Sequence, residues 1–407
     1  MADAVGRWEY GILVLGALVY AAYTFVWFSL PALLTPLIAD TGLSTTQAGL
    51  VVGAVPLVYI PLGLVGGVLI DRLGSRTALG VAVTGFGVIQ LVRGLATDFI
   101  GLLVPTLALG VLGMAATFGL PKLVSELFPA ERTGSSTAVY QVGSQLGPVA
   151  AFGLSRSVLE PRLGGWEGVF LASGAIVLAF SAVWWIVTGI YARSSDTNWT
   201  AGDPDGTTAL ESARRNIGTL VGHRDMLLLV VVGTAYLFLN HGLRGWLAVI
   251  LEEAGLAAGL AGVLVSFMVV AEIGGTLTIP TISDRWNRRK AALALSGLLC
   301  LVGTAGLLIL PGAIPLIVII LALVGAGIGG LSPMIKAIPA DMDGVDPEMT
   351  ATAVSLIYAV GEIGGFTGPI VIGGLRDLTG GFAAGLGVVI AAAAVAVVAS
   401  LSLRRVD

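Results

Sequence analysis

Charged residues are scarce in this sequence. Lys, Arg, Asp and Glu make up 11% of its 407 residues, whereas about 25% is usual in soluble globular proteins. A chain with so few charges cannot cover a water-facing surface. Hydrophobic residues reach 56%, and the mean hydropathy is +0.96. The composition therefore predicts a polytopic membrane protein.

Residues that carry catalytic chemistry are also few. The single cysteine, Cys300, cannot form an intrachain disulfide, and the sequence holds only 2 His and no cluster with metal-ligand spacing. It contains no nucleophile–base pair and no phosphate-binding loop. We therefore predict no enzymatic activity, no cofactor and no metal site. The formal net charge of −4 argues against nucleic acid as a partner.

Long apolar runs fill most of the chain. A membrane-spanning helix needs about 20 apolar residues, and we predict twelve such spans, near residues 10–38, 47–70, 77–97, 99–122, 133–158, 167–191, 226–251, 257–282, 291–310, 313–336, 350–374 and 382–403. Pro31 and Pro36 interrupt the first run, which is typical of a helix that bends around a cavity. This run is too long for a cleavable secretory signal, so we expect it to be a membrane span.

A polar, turn-rich segment divides the spans into six and six. We predict an N-terminal six-helix bundle over 1–191, a cytoplasmic linker over 192–225 and a C-terminal six-helix bundle over 226–407. Within the linker, 214–224 fits a short amphipathic helix and a plain loop equally well. Most of the 21 Lys and Arg fall on one side of the predicted spans. This bias predicts a multi-pass protein of the cell membrane with both termini in the cytoplasm.

Two sequence patterns recur in both halves. The charged stretch 67–76, which reads as a tight turn at a membrane face, returns in degenerate form at 280–290. The stretch 138–148 matches 356–366, so that Tyr140 corresponds to Tyr358. Internal repeats of this kind are a signature of secondary transporters, whose binding site lies near the membrane midplane between the repeats.

The first of these patterns resembles the loop signature of the major facilitator superfamily, Gly-x-x-x-Asp-Arg-x-Gly-x-Arg. Every named position is filled, by Gly67, Asp71, Arg72, Gly74 and Arg76. The second copy keeps Asp284 and Arg285 but has Pro280 and Asn287 in place of the glycines. The resemblance implies an all-α membrane protein with twelve transmembrane helices in two pseudo-symmetric six-helix bundles. It further implies a central cavity lined by helices one, four, seven and ten, with two, five, eight and eleven contributing. The charges of both turns would then make gate contacts; plain topology charges are the alternative.

Two carboxyl groups lie inside apolar spans, Glu362 in the eleventh and Glu272 in the eighth. A charge at the centre of a span costs at least ~2.5–3.5 kcal/mol and is tolerated only beside a cavity or a partner. Because burial disfavours the charged form of a carboxyl group, both are candidate proton carriers. The alternative is a carboxyl hydrogen-bonded between packed helices. The position that corresponds to Glu362 in span five is Ser144, which favours a proton function in the second half.

Polar and aromatic side chains suited to substrate binding recur in matching spans. They are Tyr20, Thr24 and Trp27 in span one, Gln141 and Gln145 in span five, Tyr236, Asn240, His241 and Arg244 in span seven, and Tyr358 in span eleven. Arg244 is either an anion-binding group, or a partner for an acid, or a side chain that snorkels to the interface. His241 either shuttles protons or makes a structural hydrogen bond. Arg93, near the outer end of span three, is expected to snorkel, with a functional role as the alternative.

The run 361–380 is similar to the nitrate, cyanate and oxalate branches of the superfamily. Carriers of the oxalate type place bases in spans eight and eleven, where this chain has Glu272 and Glu362. We predict a monomeric secondary transporter that works by alternating access in the lipid bilayer. It would be coupled to protons and would carry a small polar or organic solute, such as a small organic anion. A drug/proton antiporter that exports apolar compounds is one alternative, suggested by Gly143 to Pro148. A transporter-like membrane sensor is another, although the linker is too short for a signalling domain.

Overall fold

Helices form nearly all of the described structure. The computed structural model describes residues 6–63, 66–194, 216–309, 312–342 and 345–404, and these contain no strand. The twelve long helices among them, numbered in chain order, are α1 (Arg7–Ala32), α2 (Thr45–Leu62), α3 (Ser75–Arg93), α4 (Phe99–Leu127), α5 (Ala130–Leu154), α6 (Trp166–Ser194), α7 (Arg224–Glu253), α8 (Ala258–Trp286), α9 (Arg289–Ile309), α10 (Ile314–Ala337), α11 (Pro347–Thr379) and α12 (Ala383–Ser402). The predicted all-α fold is confirmed.

Eleven helices of the described residues are long and apolar enough to cross a membrane. The remaining long helix, α5, stands where the fifth span is predicted, but Gln141 and Gln145 lower its mean hydropathy. Polar residues are tolerated at membrane depth where they face a cavity instead of lipid, as Gln145 does. Of the predicted linker, 195–215 lie outside the described residues, and residues 216–221 are helical.

The predicted break in the first span is present. α1 ends at Ala32, and after Leu33 the chain continues as a short helix over Leu34–Thr41. Pro36 falls in the first turn of this short helix, where no backbone N–H donor is needed. The first span is therefore two helical segments rather than one.

The stretch 67–76 differs from the tight turn predicted for it. A short helix over Gly66–Leu73 takes up most of it, and the turn is confined to Gly74, whose φ of 75° is left-handed. At the corresponding place in the second half, Asn287 follows α8 with a φ of 50°. Asn tolerates a left-handed backbone better than most residues, so the exchange of glycine for asparagine preserves the turn.

Small residues bring corresponding helices close together in the two halves. A Cβ atom added to Gly143 of α5 would lie 2.2 Å from the carbonyl oxygen of Ala17 in α1. A Cβ atom added to Gly364 of α11 would lie 2.2 Å from the carbonyl oxygen of Thr234 in α7. Such backbone contact is typical of helix packing in membranes, where apolar side chains gain little by leaving lipid.

Arg93 does not snorkel, and the prediction for it was wrong. Its side chain has 0% exposure, and its guanidinium donates to Thr106 Oγ1 at 2.7 Å and to the Val26 carbonyl oxygen at 2.9 Å. The position of Arg93 along α3 indicated its depth in the membrane but not the direction in which its side chain points. The arginine points at α1 and α4, whose polar atoms replace water as acceptors.

The helical assembly has two ends. The motif face is the end that carries the short helix Gly66–Leu73 and the turn at Asn287, and the opposite face carries the turns at Gly42 and Gly380. We call α1–α6 the first half of the chain and α7–α12 the second half. One cluster of buried apolar side chains includes residues of both halves, among them Phe152 and Val265, whereas a second cluster is confined to the first half.

The halves touch each other toward the opposite face. A Cβ atom on Gly49 of α2 would lie 2.5 Å from the Pro369 carbonyl oxygen of α11. One on Gly262 of α8 would lie 2.5 Å from the Phe152 carbonyl oxygen of α5. These approaches leave no passage between α2 and α11 or between α5 and α8 at that depth.

Candidate functional site

A cavity of about 440 Å³ lies between the two halves. It is lined by α1, α2, α4 and α5 of the first half and by α7, α8, α10 and α11 of the second, the eight helices that the family resemblance implies. Its lining reaches Gly63 and the exposed Lys336, which lie at the ends of α2 and α10 on the motif face. The cavity is thus open toward the motif face.

Most of the predicted binding residues line this cavity. They are Tyr20, Thr24, Trp27, Gln145, Tyr236, Asn240, His241, Arg244, Glu272, Tyr358 and Glu362. Gln141 is the exception: it is exposed on α5, outside the cavity lining. Sequence reasoning missed Tyr59, Thr117 and Ser332. Only the twofold repeat could have drawn attention to Ser332, since it lies on α10, which corresponds to the Thr117 region of α4.

Arg244 and Glu272 form a buried ion pair across α7 and α8. Arg244 Nη2 lies 2.5 Å from Glu272 Oε2, and the two side chains are 6% and 7% exposed. The guanidinium carbon lies 4.9 Å from the centre of the Phe28 ring of α1, so the arginine also contacts the first half. Arg244 Nε has no hydrogen-bond partner among the described residues. The snorkelling alternative for Arg244 is therefore wrong, and Nε of its guanidinium is a buried donor without a partner in the described structure.

Glu362 lies on the other side of His241. The distance from His241 Nε2 to Glu362 Oε2 is 3.8 Å, which is too long for a hydrogen bond. Within the described part of the chain, Glu362 Oε2 and the Asn240 side-chain oxygen are buried without any hydrogen-bond partner. Buried polar atoms are normally satisfied, by a proton in the case of Glu362 or by a hydrogen-bond donor from water or a ligand in the case of either atom.

The wall of the cavity is rich in aromatic rings. Trp27 of α1 stacks on the His241 imidazole of α7, with ring centroids 5.4 Å apart and an interplanar angle of 19°. Tyr20 stacks between Tyr23 and Tyr140, at 6.3 and 6.4 Å. Rings of both halves therefore surround the same space.

Hydroxyl groups form two short networks on the cavity wall. In the first half, the Tyr59 hydroxyl lies 2.9 Å from Thr117 Oγ1 and 3.3 Å from the Tyr23 hydroxyl. In the second half, the Tyr358 hydroxyl lies 3.0 Å from Ser332 Oγ. Hydroxyl groups can act as donor or acceptor, so these networks can adapt to a polar ligand.

The charges of the motif turns pair within their own half. Asp71 accepts from Lys122 Nζ at 2.9 Å, and Arg76 donates to Thr188 Oγ1 at 3.2 Å and packs over the Trp185 ring. In the second copy, Asp284 lies 3.8 Å from Arg289 Nε. Arg72 and Arg285 are exposed. In the conformation described, these ion pairs do not join the halves, in keeping with a cavity open on this face.

Polar contacts between the halves lie instead at the opposite face. Asp377, at the end of α11, accepts from the backbone N–H of Thr45 and of Thr46 at 3.0 and 2.8 Å, and from both hydroxyls. It therefore caps the N-terminus of α2 from the other half. Arg156, after α5, pairs with Glu252 of α7 at 3.2 Å. Nothing in the sequence pattern predicts this role of Asp377.

The sequence of this chain matches the model of a known protein family. The model of the major facilitator superfamily matches residues 13–369, with a further match over 244–406. The chain belongs to the major facilitator superfamily. The cavity between two sets of helices is the place where members of such transporter folds bind their solutes.

Individual relatives are distant but extend over most of the chain. A protein assigned as a tartrate transporter in Agrobacterium vitis is 24% identical, covering 90% of this chain and 86% of the relative. A gallate transporter of Pseudomonas putida is 27% identical, covering 84% and 80%. The crystal structure of a bacterial homologue of the human lysosomal transporter Spinster, inward-facing and unoccupied, aligns with a TM-score of 0.79 at 19% identity, covering 98% of each chain. This superfamily member is a transporter, not an enzyme.

Proposed function

We propose that this transporter moves a small organic anion across the cell membrane by alternating access, coupled to protons through Glu362. The observation that supports this most directly is the cavity between the halves, in which a buried arginine with a free donor lies near a buried carboxyl with no partner. The tartrate and gallate transporters among the relatives carry organic acids, which agrees with an arginine at the site.

The two halves act as the moving bodies in this proposal. Residues 1–191 and 226–407 form two six-helix bundles, joined by a cytoplasmic linker over 192–225, that rock around the cavity as a monomer. The motif face is cytoplasmic because most Lys and Arg lie near it. The described conformation is then inward-open, and the charges of the motif turns engage the other half only after the cavity has closed on that side.

Arg244 is the proposed anion site. Its partner Glu272 neutralises it while the cavity is empty, since an unpaired charge at this depth is costly. A substrate carboxylate can bind the free Nε side or displace Glu272 from the guanidinium. If the dissociation constant of organic anions is unchanged by Arg244→Ala, the anion site lies elsewhere.

Glu362 is the proposed proton carrier, with Glu272 as the second acid. A carboxylate removed from water without a cationic partner is unfavourable, whereas the protonated form carries no charge. Glu362 is reached from the open face through the cavity, so it can exchange protons with water there. Its neighbour His241 lies within 4 Å and contacts it once either side chain shifts.

Transport by purified protein in proteoliposomes tests the coupling. We expect an imposed proton gradient to accelerate uptake of an organic acid by the wild type. In Glu362→Gln, gradient-driven accumulation is lost, while exchange of labelled for unlabelled substrate continues because the cavity remains intact. Glu131→Gln, which changes an exposed acid at the motif face, serves as the control and keeps gradient-driven uptake. Full gradient-driven uptake by Glu362→Gln would show that Glu362 does not couple protons.

A further inference from the structure

We propose that the preferred substrate is a hydroxylated aromatic monocarboxylate. This inference rests on the proposed organic-anion transport and narrows its substrate class. The relatives do not make the choice, because tartrate is an aliphatic diacid whereas gallate is an aromatic acid. The choice follows from the shape and chemistry of the cavity.

The cavity wall favours a flat apolar body. Aromatic rings line it from α1, α2, α4, α7 and α11, including Tyr23, Trp27, Tyr59, Phe118 and Tyr358. Aromatic rings stack face to face or edge to face at centroid distances of about 4.5–7 Å. An aliphatic polyhydroxy acid has no aromatic ring that could stack on these side chains.

Two unsatisfied atoms define the polar pattern of the ligand. Arg244 Nε is a donor and requires an acceptor, which a carboxylate supplies. The Asn240 side-chain oxygen is an acceptor and requires a donor, which a hydroxyl group supplies. Asn240 and Arg244 lie one turn apart on α7, so the carboxylate and a hydroxyl of one small molecule can reach both.

The balance of charge limits the ligand to one carboxylate. Arg244 and Lys336 contribute two positive charges to the cavity lining, and Glu272 and Glu362 contribute two negative charges. With a proton on Glu362, the lining is positive by one charge. A monoanion then makes the occupied cavity neutral, whereas a dianion leaves a net negative charge beside the buried Glu272.

Binding of a matched set of acids to the purified wild-type protein tests the inference. The set is para-hydroxybenzoate, benzoate, cyclohexanecarboxylate, phenol and tartrate, measured by isothermal titration calorimetry. We expect para-hydroxybenzoate to bind most tightly, about tenfold better than benzoate, since one hydrogen bond to an otherwise unsatisfied buried group contributes about that factor. Cyclohexanecarboxylate is weaker than benzoate because it cannot stack, and phenol is weaker because it lacks the carboxylate.

The variant Asn240→Ala tests whether the Asn240 side-chain oxygen accepts the hydrogen bond from the ligand hydroxyl. In this variant, the preference for para-hydroxybenzoate over benzoate, about tenfold in the wild type, should disappear. The affinity for benzoate, which has no hydroxyl group, should change much less than the affinity for para-hydroxybenzoate. The control is Val231→Ala on the same helix, whose side chain is 41% exposed outside the cavity; it keeps the preference. Because both ligands are measured on the same variant, a general loss of folding weakens both and is distinguished from a loss of selectivity.

The outcomes separate this inference from the proposed function. Tight binding and transport of tartrate, with no binding of para-hydroxybenzoate, would overturn the aromatic substrate class but leave organic-anion transport standing. Benzoate binding as tight as that of para-hydroxybenzoate would overturn the hydroxyl requirement. Failure of every acid to bind or to be transported would overturn the proposed function itself.

Discussion

Replacing Asp377 by alanine removes the cap that holds the N-terminus of α2 to the end of α11. In the described conformation, the carboxylate accepts from two backbone N–H groups of α2. Ser44 covers the next N–H group, that of Gln47, from within the first half. Because Asp377 belongs to the second half, its hydrogen bonds exist only while the opposite face is closed. The substitution should therefore shift the protein toward conformations that are open on that face.

The size of the shift follows from the exposure of the site. Asp377 is exposed, so water replaces part of what is lost and the energies of buried ion pairs do not apply. Loss of a helix N-cap costs typically ~1 kcal/mol, and loss of a negative charge at a helix N-terminus costs ~0.3–1 kcal/mol. A total of about 1.3–2 kcal/mol corresponds to a change of roughly 9–30-fold in the ratio of the two conformations.

Distances between spin labels on the two halves measure this ratio. Leu95 and Ile309, both exposed near the opposite face at 72% and 76%, are changed to cysteine and labelled after the buried Cys300 is replaced by alanine. Double electron–electron resonance should show a larger long-distance population in Asp377→Ala than in the wild type. The control is Asp98→Ala, which removes a cap at the same face but within the first half, where Asp98 accepts from Gly101 N–H at 2.8 Å.

The control distinguishes the loss of a contact between the halves from the loss of a helix cap alone. Both variants lose a cap and should lose thermal stability to a similar degree, but only Asp377→Ala removes a contact between the halves. An unchanged distance distribution in Asp377→Ala would refute the reasoning. An equal shift in both variants would show that cap loss alone, and not the contact across the halves, controls the opening.

Two further predictions concern stability, measured by thermal unfolding in detergent. Arg244→Met leaves Glu272 buried and unpaired and should lower the free energy of unfolding by ~3–5 kcal/mol. The double variant Arg244→Met/Glu272→Met should recover most of that stability without recovering transport. A double variant as unstable as the single variant would contradict this prediction. Gly147→Ala should lower the unfolding temperature sharply, since its Cβ would lie 2.0 Å from Thr24 Oγ1, while Gly387→Ala, with nothing within 4 Å, should leave it unchanged. Equal unfolding temperatures in the two glycine variants would show that α1 and α5 can separate at little cost.

Local patterns in the sequence were sufficient to predict the positions of the helices and many of the residues that line the cavity. Hydropathy located the helices because each span is a continuous apolar run of about 20 residues. Spacing located Asn240 and Arg244 on one face of α7, since residues four apart share a face. The repeat between 138–148 and 356–366 indicated that α5 and α11 play matching roles.

Other features could not be derived from local patterns. Arg93 occupies a position where snorkelling is reasonable, but the rotation of α3 about its axis directs it at Thr106 instead of the interface. Gln141 shares a helix with Gln145, yet only Gln145 lines the cavity. Helix rotation depends on the packing of all neighbouring helices, and a single periodic pattern does not specify it.

The sequence by itself determined the membrane class, the positions of the helices, the superfamily signature and the acids that lie at membrane depth, because these depend on composition and on spacing within one helix. Tertiary structure decided which charges pair. Arg244 meets Glu272 of the next helix, Glu362 lies beside His241 without a hydrogen bond, and Asp377 caps a helix of the other half. Such contacts join residues that are far apart in the chain. They depend on how the helices are packed and rotated against one another, which the spacing of residues within one helix does not specify.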